Sequence, residues 1–508
     1  MTANGPVYFN EDPNHFVFER LRAARTPVTA DDISAFIDQY RGTSITDFLI
    51  CLNASTCWYP SKRTENAIDK FRAYRAYRAA RGAAANSDPL TWGARLMAEI
   101  YDSGLPLHQL WIDRLRQNAI RPWISLRMND IHGSAHPGSF LNSAMVDEHP
   151  EYCRTPYRPA TGYMDHALDY LRAPVREYYH TVAAEALDTF DADGIEFDFM
   201  REITSVCIGR EYEATAVLND FMRSLVALVR AAEQRRGHAI PIAVRLPRSP
   251  ELALRLGFDA FTWVREHWVD VITVTSRWAS VDNDLPIDVW KRTFAGSPVQ
   301  ILAGLEVLCG AYPRTPRIYH HNTLQTALGS CCGNWALGAD GIYLFNYMDS
   351  VAPHPELPDC AIENRGLPEL LRLAGDRSGQ SAVPRRHVVT YHDVTAPGCA
   401  MQHPLPATVG NGEYRALRMP TGPIPADRAV RLVVGVSEPA EQSRLTAYVN
   451  AVPCRPLGRV PVQYPQYDDL IYYAFEVPNR GALPPVTVAE LGAANGTVQI
   501  HWCELQIQ

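Results

Sequence analysis

Several features that would assign the chain to a narrow functional class are missing from its 508 residues. No long basic run is present and the formal net charge is −8, so we do not expect nucleic-acid binding. No apolar stretch is long enough to span a membrane, and the N-terminus lacks the pattern of a secretion signal, so we expect no membrane partner. A glycine-rich phosphate turn is also absent after the first predicted strand, which disfavours a dinucleotide-binding fold.

The cysteine pattern argues against a disulfide framework. Eleven cysteines are present, but they are scattered, odd in number and without a C-x-x-C pair. Such usage favours reduced thiols and disfavours structural zinc. We therefore predict a cytoplasmic location, and we expect neither a metal nor another cofactor.

Up to about residue 380, strand-like and helix-like segments alternate regularly. A helix is predicted to begin at the N-cap Thr29, and others over residues 164–190, 212–236 and 324–337. The predicted strands are residues 7–10, 47–53, 122–128, 195–200, 240–246, 269–275, 299–305 and 341–346. Eight strand–helix alternations predict a closed (β/α)8 TIM barrel of class α/β.

The composition changes from about Val383 onward. Helical periodicity is lost, and short β-like runs broken by Pro, Gly and Asn follow, as is typical of an all-β sandwich. We therefore predict a barrel catalytic domain over residues 1–380 and a C-terminal β-sandwich domain over residues 381–508. The second domain would pack on the barrel or help to form a homo-oligomer.

The stretch Asp-Ala-Asp-Gly-Ile-Glu-Phe-Asp-Phe-Met-Arg-Glu, residues 191–202, contains the fourth predicted strand. Successive strand side chains point to opposite faces, so Glu196 and Asp198 share one face and the apolar residues the other. Buried carboxylates are expensive, and proteins retain them for a site or pair them with an arginine. Arg127 and Arg245 are the candidate partners.

Chemistry in such a barrel lies at the carboxyl ends of the strands. Glycoside hydrolysis needs two carboxyl groups that flank the scissile bond, with amides, arginines and aromatic rings to hold the sugar. Asp198 and Glu196 after strand four, and Glu306 after strand seven, are the candidate catalytic residues. The candidate substrate-binding residues are Asn14, His15, Arg127, Asn129, Asp130, His132, Arg201, Arg245, Trp278, Asn346 and Tyr347.

The segment DGIEFDFMRE resembles strand four of a bacterial glycosyl-hydrolase group related to family 10, with its Asp-Gly-Ile-x-x-Asp-Tyr-x-Arg motif. The resemblance implies a (β/α)8 glycosidase with Asp198 and Arg201 as site residues. Clan A glycosidases, which are similar more broadly, place a nucleophilic Glu after strand seven, where Glu306 stands, but their Asn-Glu pair is absent from strand four here. Family 18 chitinases have a catalytic Glu where this chain has Met200.

The predicted function is hydrolysis of a glycosidic bond in an oligo- or polysaccharide by carboxylate acid/base catalysis. Arginines that point freely into the site would suit a carboxylated or sulfated sugar. A sugar lyase, isomerase or transglycosylase on the same barrel is one alternative. The other is a non-catalytic carbohydrate-binding protein, which gains support if the acids at the mouth are tied up in ion pairs.

Overall fold

A closed barrel of eight parallel strands forms the first part of the protein, which confirms the predicted α/β fold. The computed structural model describes residues 4–22, 27–80, 89–136, 138–314, 320–347, 366–401, 403–439, 445–478 and 483–508. The barrel strands are β1 (Val7–Glu11), β2 (Ile45–Cys51), β3 (Arg121–Arg127), β4 (Ile195–Asp198), β5 (Ile242–Pro247), β6 (Val271–Thr275), β7 (Gln300–Glu306) and β8 (Gly341–Phe345).

Helices connect these strands on the outside of the barrel. Thr29 caps one of them as predicted, since its side chain accepts from the backbone N–H of Asp32. The helices are α1 (Pro13–Arg22), α2 (Ala30–Asp38), α3 (Ala67–Ala80), α4 (Pro89–Asp102), α5 (Leu107–Gln117), α6 (Ala144–Glu148), α7 (Ala173–Thr189), α8 (Glu211–Arg236), α9 (Pro250–Arg255), α10 (Ala260–Arg265), α11 (Ile287–Thr293), α12 (Leu324–Ala336) and α13 (Gly366–Leu373).

The helix predicted over residues 164–190 is longer at its N-terminal end than the observed helix. A short 3-10 turn covers Tyr163–His166, and α7 begins only at Ala173. Pro174 lies in the first turn of α7, where its missing N–H costs nothing, so it marks the helix start. Within the described ranges, no helix is both long and apolar enough to cross a bilayer.

Strand β4 is shorter than predicted, because the side chain of its last residue, Asp198, ends it. The Oδ1 atom of Asp198 accepts from the backbone N–H of Met200 at 2.9 Å, a local turn that stops the strand at Asp198. In register, Glu196 lies opposite Ser125 of β3, and Asp198 lies opposite Arg245 of β5. Both carboxyl groups are therefore on the inner face of the barrel.

Gly194, directly before β4, is expected to tolerate no larger residue. A Cβ there would lie 2.2–2.5 Å from indole atoms of Trp123, whose Nε1 is fixed by a 2.7 Å hydrogen bond to Asp47. We expect Gly194→Ala to lower the free energy of unfolding by about 1–3 kcal/mol, measured by denaturant unfolding. Gly162→Ala, whose Cβ would meet nothing within 4 Å, is the control. Equal stability of the two variants would contradict the prediction.

Two antiparallel sheets form the C-terminal part. One has the order β10 (Ala407–Val409), β18 (Val498–Ile507), β12 (Val430–Val436), β16 (Ile471–Glu476) and β15 (Arg455–Val460), with β9 (Arg385–Val388) also paired to β18. The other has the order β11 (Tyr414–Pro420), β17 (Val486–Ala493), β13 (Leu445–Val449) and β14 (Val452–Pro453). The predicted C-terminal β domain is thus present, and we propose residues 380 and 381 as the division between the domains.

The C-terminal domain packs directly on the barrel through α12. One continuous hydrophobic cluster includes Leu344 of β8 and Trp502 of β18. Two glycines of α12 allow the close approach, because a Cβ at Gly329 would lie 2.1 Å from the carbonyl oxygen of Arg386, and one at Gly333 would lie 2.5 Å from that of Pro420. This face of α12 is therefore covered by the C-terminal domain.

Gly329→Ala should loosen this domain contact. Alanine favours a helix interior by about 1 kcal/mol over glycine, but the clash is with backbone, which cannot rotate away. We expect a net loss of unfolding free energy and easier proteolysis between the domains. Gln325→Ala, at an exposed position on the same helix, is the control, because it changes helix propensity without adding an atom at the domain contact. A Gly329→Ala variant as resistant to protease as Gln325→Ala would count against this account.

Candidate active site

The inner end of β4 places Glu196 below the mouth of the barrel. Its Oε1 accepts from Ser125 Oγ at 2.7 Å and from the Tyr343 hydroxyl at 2.9 Å, and the residue is fully buried. Burial, reinforced by the nearby Asp198, raises the pKa of Glu196. Glu196 therefore lies in a layer that links three strands of the barrel.

Asp198 lies one layer nearer the mouth and forms a buried ion pair. Its Oδ2 accepts from Arg245 Nη1 at 2.7 Å, and both side chains are about 1% exposed. The Arg245 guanidinium also lies over the Phe345 ring, with Cζ 3.7 Å from the ring centroid. Arg245 of β5, which itself lies over Phe345 of β8, thus holds the Asp198 carboxylate.

Glu306 ends β7 and is bound by an amide. Asn346, just after β8, donates from Nδ2 to Oε1 at 2.7 Å and also lies 3.2 Å from Oε2. Asn346 has a φ of +60°, a left-handed conformation in which asparagine is several-fold enriched. Burial raises the pKa of Glu306 well above 4.5, opposed by Arg245 and reinforced by Asp393. Glu306 therefore keeps its proton to higher pH than an ordinary glutamate does.

A chain of charged groups follows β1, β3 and β4 around the rim. Arg127 donates to Asp12 at 2.6 Å and to Asp130 at 3.2 Å. Asp130 contacts His132 Nδ1 at 2.8 Å, and His132 Nε2 lies 3.0 Å from Arg201 Nη2. Because the arginine can only donate, Nε2 is the acceptor, and Nδ1 carries the proton that is donated to Asp130.

The charged and hydrogen-bonding groups at the rim favour the ionised form of Asp130. Burial acts against this, but contacts with His132, Arg127 and Arg201 hold the pKa of Asp130 far below its usual value. The His132 side chain is 40% exposed, whereas Asp130 is fully buried. His132 is therefore the most exposed side chain of this network.

The remaining predicted binding residues lie in different surroundings. Asn129 is buried and exchanges two hydrogen bonds with the backbone of Leu168, at 3.0 and 2.9 Å. His15 contacts buried Glu11 at 3.0 Å, while Asn14 precedes it in α1. These contacts give Asn129 and His15 a bracing role between elements, and a role in binding substrate stays a prediction for them.

Two more predicted residues lie beside the site. Tyr347 is fully buried, with its hydroxyl 3.4 Å from the backbone oxygen of Glu306. Trp278 follows β6, is partly buried, and donates its backbone N–H to Asp393 at 2.8 Å. Tyr347 therefore contacts the backbone of Glu306, and Trp278 belongs to the β6 loop, where Asp393 binds its backbone.

Sequence reasoning missed two acids of the mouth, Glu202 and Asp393. Glu202 is buried and forms an ion pair with Arg277, which follows β6. Its position four residues after Asp198 in the same motif was a usable signal. Asp393 lies far away in sequence, after β9 of the C-terminal domain, and no local pattern indicates it. In the described part of the chain, no group of three or more His, Cys, Asp or Glu is arranged to hold a metal ion.

Comparisons with known proteins give structural similarities only. No family model and no curated protein matches the sequence. The chain is similar to α-L-fucosidase isoenzyme 2 from Paenibacillus thiaminolyticus, with a TM-score of 0.41, 10% identity, and 75% of this chain and 49% of that chain covered. It is also similar to isoenzyme 1 from the same organism, with a TM-score of 0.35, 15% identity, and 96% of each chain covered.

A third similar structure is the PgaB (BpsB) glycoside hydrolase domain from Bordetella bronchiseptica. The TM-score is 0.40 at 10% identity, with 71% of this chain and 99% of that domain covered. The present chain spans about half the length of the first fucosidase. These neighbours are glycoside hydrolases, while the resemblance to the family 10-like group stays a prediction.

Proposed function

We propose that the chain is a glycoside hydrolase that cleaves a glycosidic bond of an oligo- or polysaccharide by carboxylate acid/base catalysis. The observation that carries the proposal is the contrast between two carboxyl groups at one end of the barrel. Glu306 is buried beside the Asn346 amide, and burial raises its pKa, whereas Asp198 forms an ion pair with Arg245. Glycoside hydrolysis needs one carboxylic acid and one carboxylate, and opposed environments are how proteins separate these roles.

The proposed roles follow from these states. Glu306 donates its proton to the leaving oxygen, and Asp198 acts as the nucleophile or activates water on the other side of the bond. Arg245 influences both groups, since Asp198 and Glu306 are each among the acids that raise its pKa against the effect of burial. Glu196 completes the proposed catalytic set from the layer below, where burial and then the nearby Asp198 raise its pKa.

The substrate would enter over the exposed part of the rim. Tyr163 is 43% exposed and lies beside His132, with ring centroids 6.5 Å apart. Aromatic and imidazole groups in such a position suit a sugar ring and its hydroxyls. We infer that His132 and Tyr163 contact the sugar above the floor that Asp198 and Glu306 form.

Four arginines lie near the mouth, and their present contacts indicate which of them could bind an anionic sugar. Arg127, Arg245 and Arg277 each have a carboxylate within hydrogen-bonding reach. Arg201 instead donates to His132, and its nearest carboxylate contact, with Asp130, is at 4.0 Å. We therefore propose Arg201 as the group that would bind a carboxylated or sulfated substrate.

A non-catalytic carbohydrate-binding protein is the second candidate, and a specific observation favours it. Asp12, Asp130, Asp198 and Glu202 each form an ion pair with an arginine, as in a site kept for structure. Glu306 distinguishes the two candidates, because it takes part in none of the ion pairs among the described residues. A structural role alone does not explain a buried acid held by a single amide.

The test is a screen of defined glycosides and polysaccharides, both neutral and anionic, with the wild type and Glu306→Gln. Release of reducing ends by the wild type and its loss in the variant would support the proposal. Binding of a sugar without turnover by both proteins would support the second candidate instead. Unsaturated, isomerised or transferred products would identify a lyase, isomerase or transglycosylase.

A further inference from the structure

The segment that leads from β9 to β10 in the C-terminal domain passes over the β6 side of the barrel mouth. At the end of β9, the backbone oxygen of Val388 accepts from Asn283 Nδ2 at 3.0 Å, and Thr390 Oγ1 accepts from the Asn283 N–H at 2.9 Å. The Tyr391 N–H then contacts the Gly310 oxygen at 3.4 Å. Residues 388–394, which we call the connecting segment, are thus bound to the loops after both β6 and β7.

Asp393 makes the most concentrated contact of this segment. Its carboxylate accepts three consecutive backbone N–H groups of the β6 loop, from Arg277 at 2.8 Å, Trp278 at 2.8 Å and Ala279 at 2.6 Å. Hydrogen bonds to a charged acceptor are stronger than neutral ones. One side chain from beyond the barrel therefore fixes the backbone of a loop at the mouth.

The fixed loop carries a charged group of the site. Arg277 forms an ion pair with buried Glu202, and its guanidinium lies 5.5 Å from the centroid of the Tyr163 ring. Tyr163 in turn lies beside His132 at the exposed rim. The three hydrogen bonds to Asp393 thus hold one end of a row of side chains along the mouth, formed by Arg277, Tyr163 and His132.

We propose that Asp393 is a positioning residue through which the C-terminal domain completes the active site of the barrel. It fixes the backbone of the β6 loop and so holds Arg277 against Glu202. An effect on turnover rests on the proposed glycosidase function, whereas the hold on the loop does not, so the two can be tested separately.

Hydrogen exchange measured by mass spectrometry tests the positioning role without a substrate. In Asp393→Ala we expect amides of residues 277–279 to exchange about tenfold faster or more, because they lose a charged acceptor. Asp393→Asn, which keeps one acceptor oxygen, should give a smaller increase. Unchanged exchange in Asp393→Ala, with a folded barrel, would overturn the proposal whether or not the protein is a glycosidase.

Kinetics test the effect on the site once the wild type shows turnover. Asp393→Ala should lower kcat/KM, and Asp393→Asn, which keeps one acceptor oxygen, should lower it less. Thr390→Val is the matched control, since it breaks another anchor of the connecting segment and leaves the Asp393 carboxylate in place. An unchanged kcat/KM in Asp393→Ala, or an equal loss in Thr390→Val, would show that Asp393 does not position the site.

Discussion

Glu306→Gln is expected to abolish most turnover while the protein becomes no less stable. The amide cannot donate a proton to a leaving group, and loss of a general acid costs about 10²–10⁴-fold in rate. The substitution replaces a neutral acid with a neutral amide of the same shape, and the Asn346 contact can persist. Steady-state kinetics on a substrate found by the screen measure the loss, and thermal unfolding measures the stability.

The pH dependence of both quantities follows from the raised pKa of Glu306. The folded protein keeps the proton at pH values where the unfolded chain has released it, so stability falls as pH rises above about 4.5 toward the folded pKa. Glu306→Gln removes this loss, and its advantage in stability over the wild type should grow across that window. In the wild type, kcat/KM should fall as pH rises through the folded pKa.

These two measurements separate catalysis from folding. Asp220→Asn, on the exposed face of α8, is the matched control, because it removes one half of a solvent-exposed pair with Arg223. The control should keep full turnover and an unchanged pH profile. Full turnover by Glu306→Gln would remove Glu306 from the mechanism. A stability difference from the wild type that does not change with pH would show that Glu306 is not protonated as inferred.

Breaking the Asp198–Arg245 pair should produce the largest loss of stability. Both groups are about 1% exposed, so Asp198→Asn leaves a buried guanidinium without its anion. Removing one partner of a buried ion pair typically costs about 3–5 kcal/mol. Asp198→Asn should therefore lose turnover and lower the free energy of unfolding together, unlike Glu306→Gln.

The double variant Asp198→Leu with Arg245→Met tests the cause of that loss. Apolar replacement of both partners leaves no unpaired charge, and such replacements are often neutral or stabilising. We expect the double variant to recover most of the stability that Asp198→Leu or Arg245→Met loses alone, and to remain inactive. Denaturant unfolding of the wild type, these two single variants and the double variant gives the coupling energy. Losses that simply add would show that the pair does not interact as the structure indicates.

The fold was largely predictable because its signals are local. Alternation of short apolar strands with amphipathic helices is visible within windows of ten to twenty residues, and the eight predicted strands overlap the eight observed ones. The helix over residues 164–190 was the exception, since Pro174 and the 3-10 turn before it interrupt a pattern that reads as continuous. Docking of the second domain on Gly329 and Gly333 had no comparable signal, because small residues in a helix do not indicate their partner.

By itself, the sequence determined the barrel and which carboxyl groups lie on its inner face, since strand periodicity alone aligns Glu196 with Asp198. Only the tertiary structure decided their chemical states. Asp198 is an ion-pair partner because β5 brings Arg245 to 2.7 Å, and the pKa of Glu306 is raised because burial withholds water while Asn346 supplies only an amide. Asp393 reaches the mouth from beyond the barrel. Ionisation depends on desolvation and on contacts between strands distant in sequence, which no local pattern encodes.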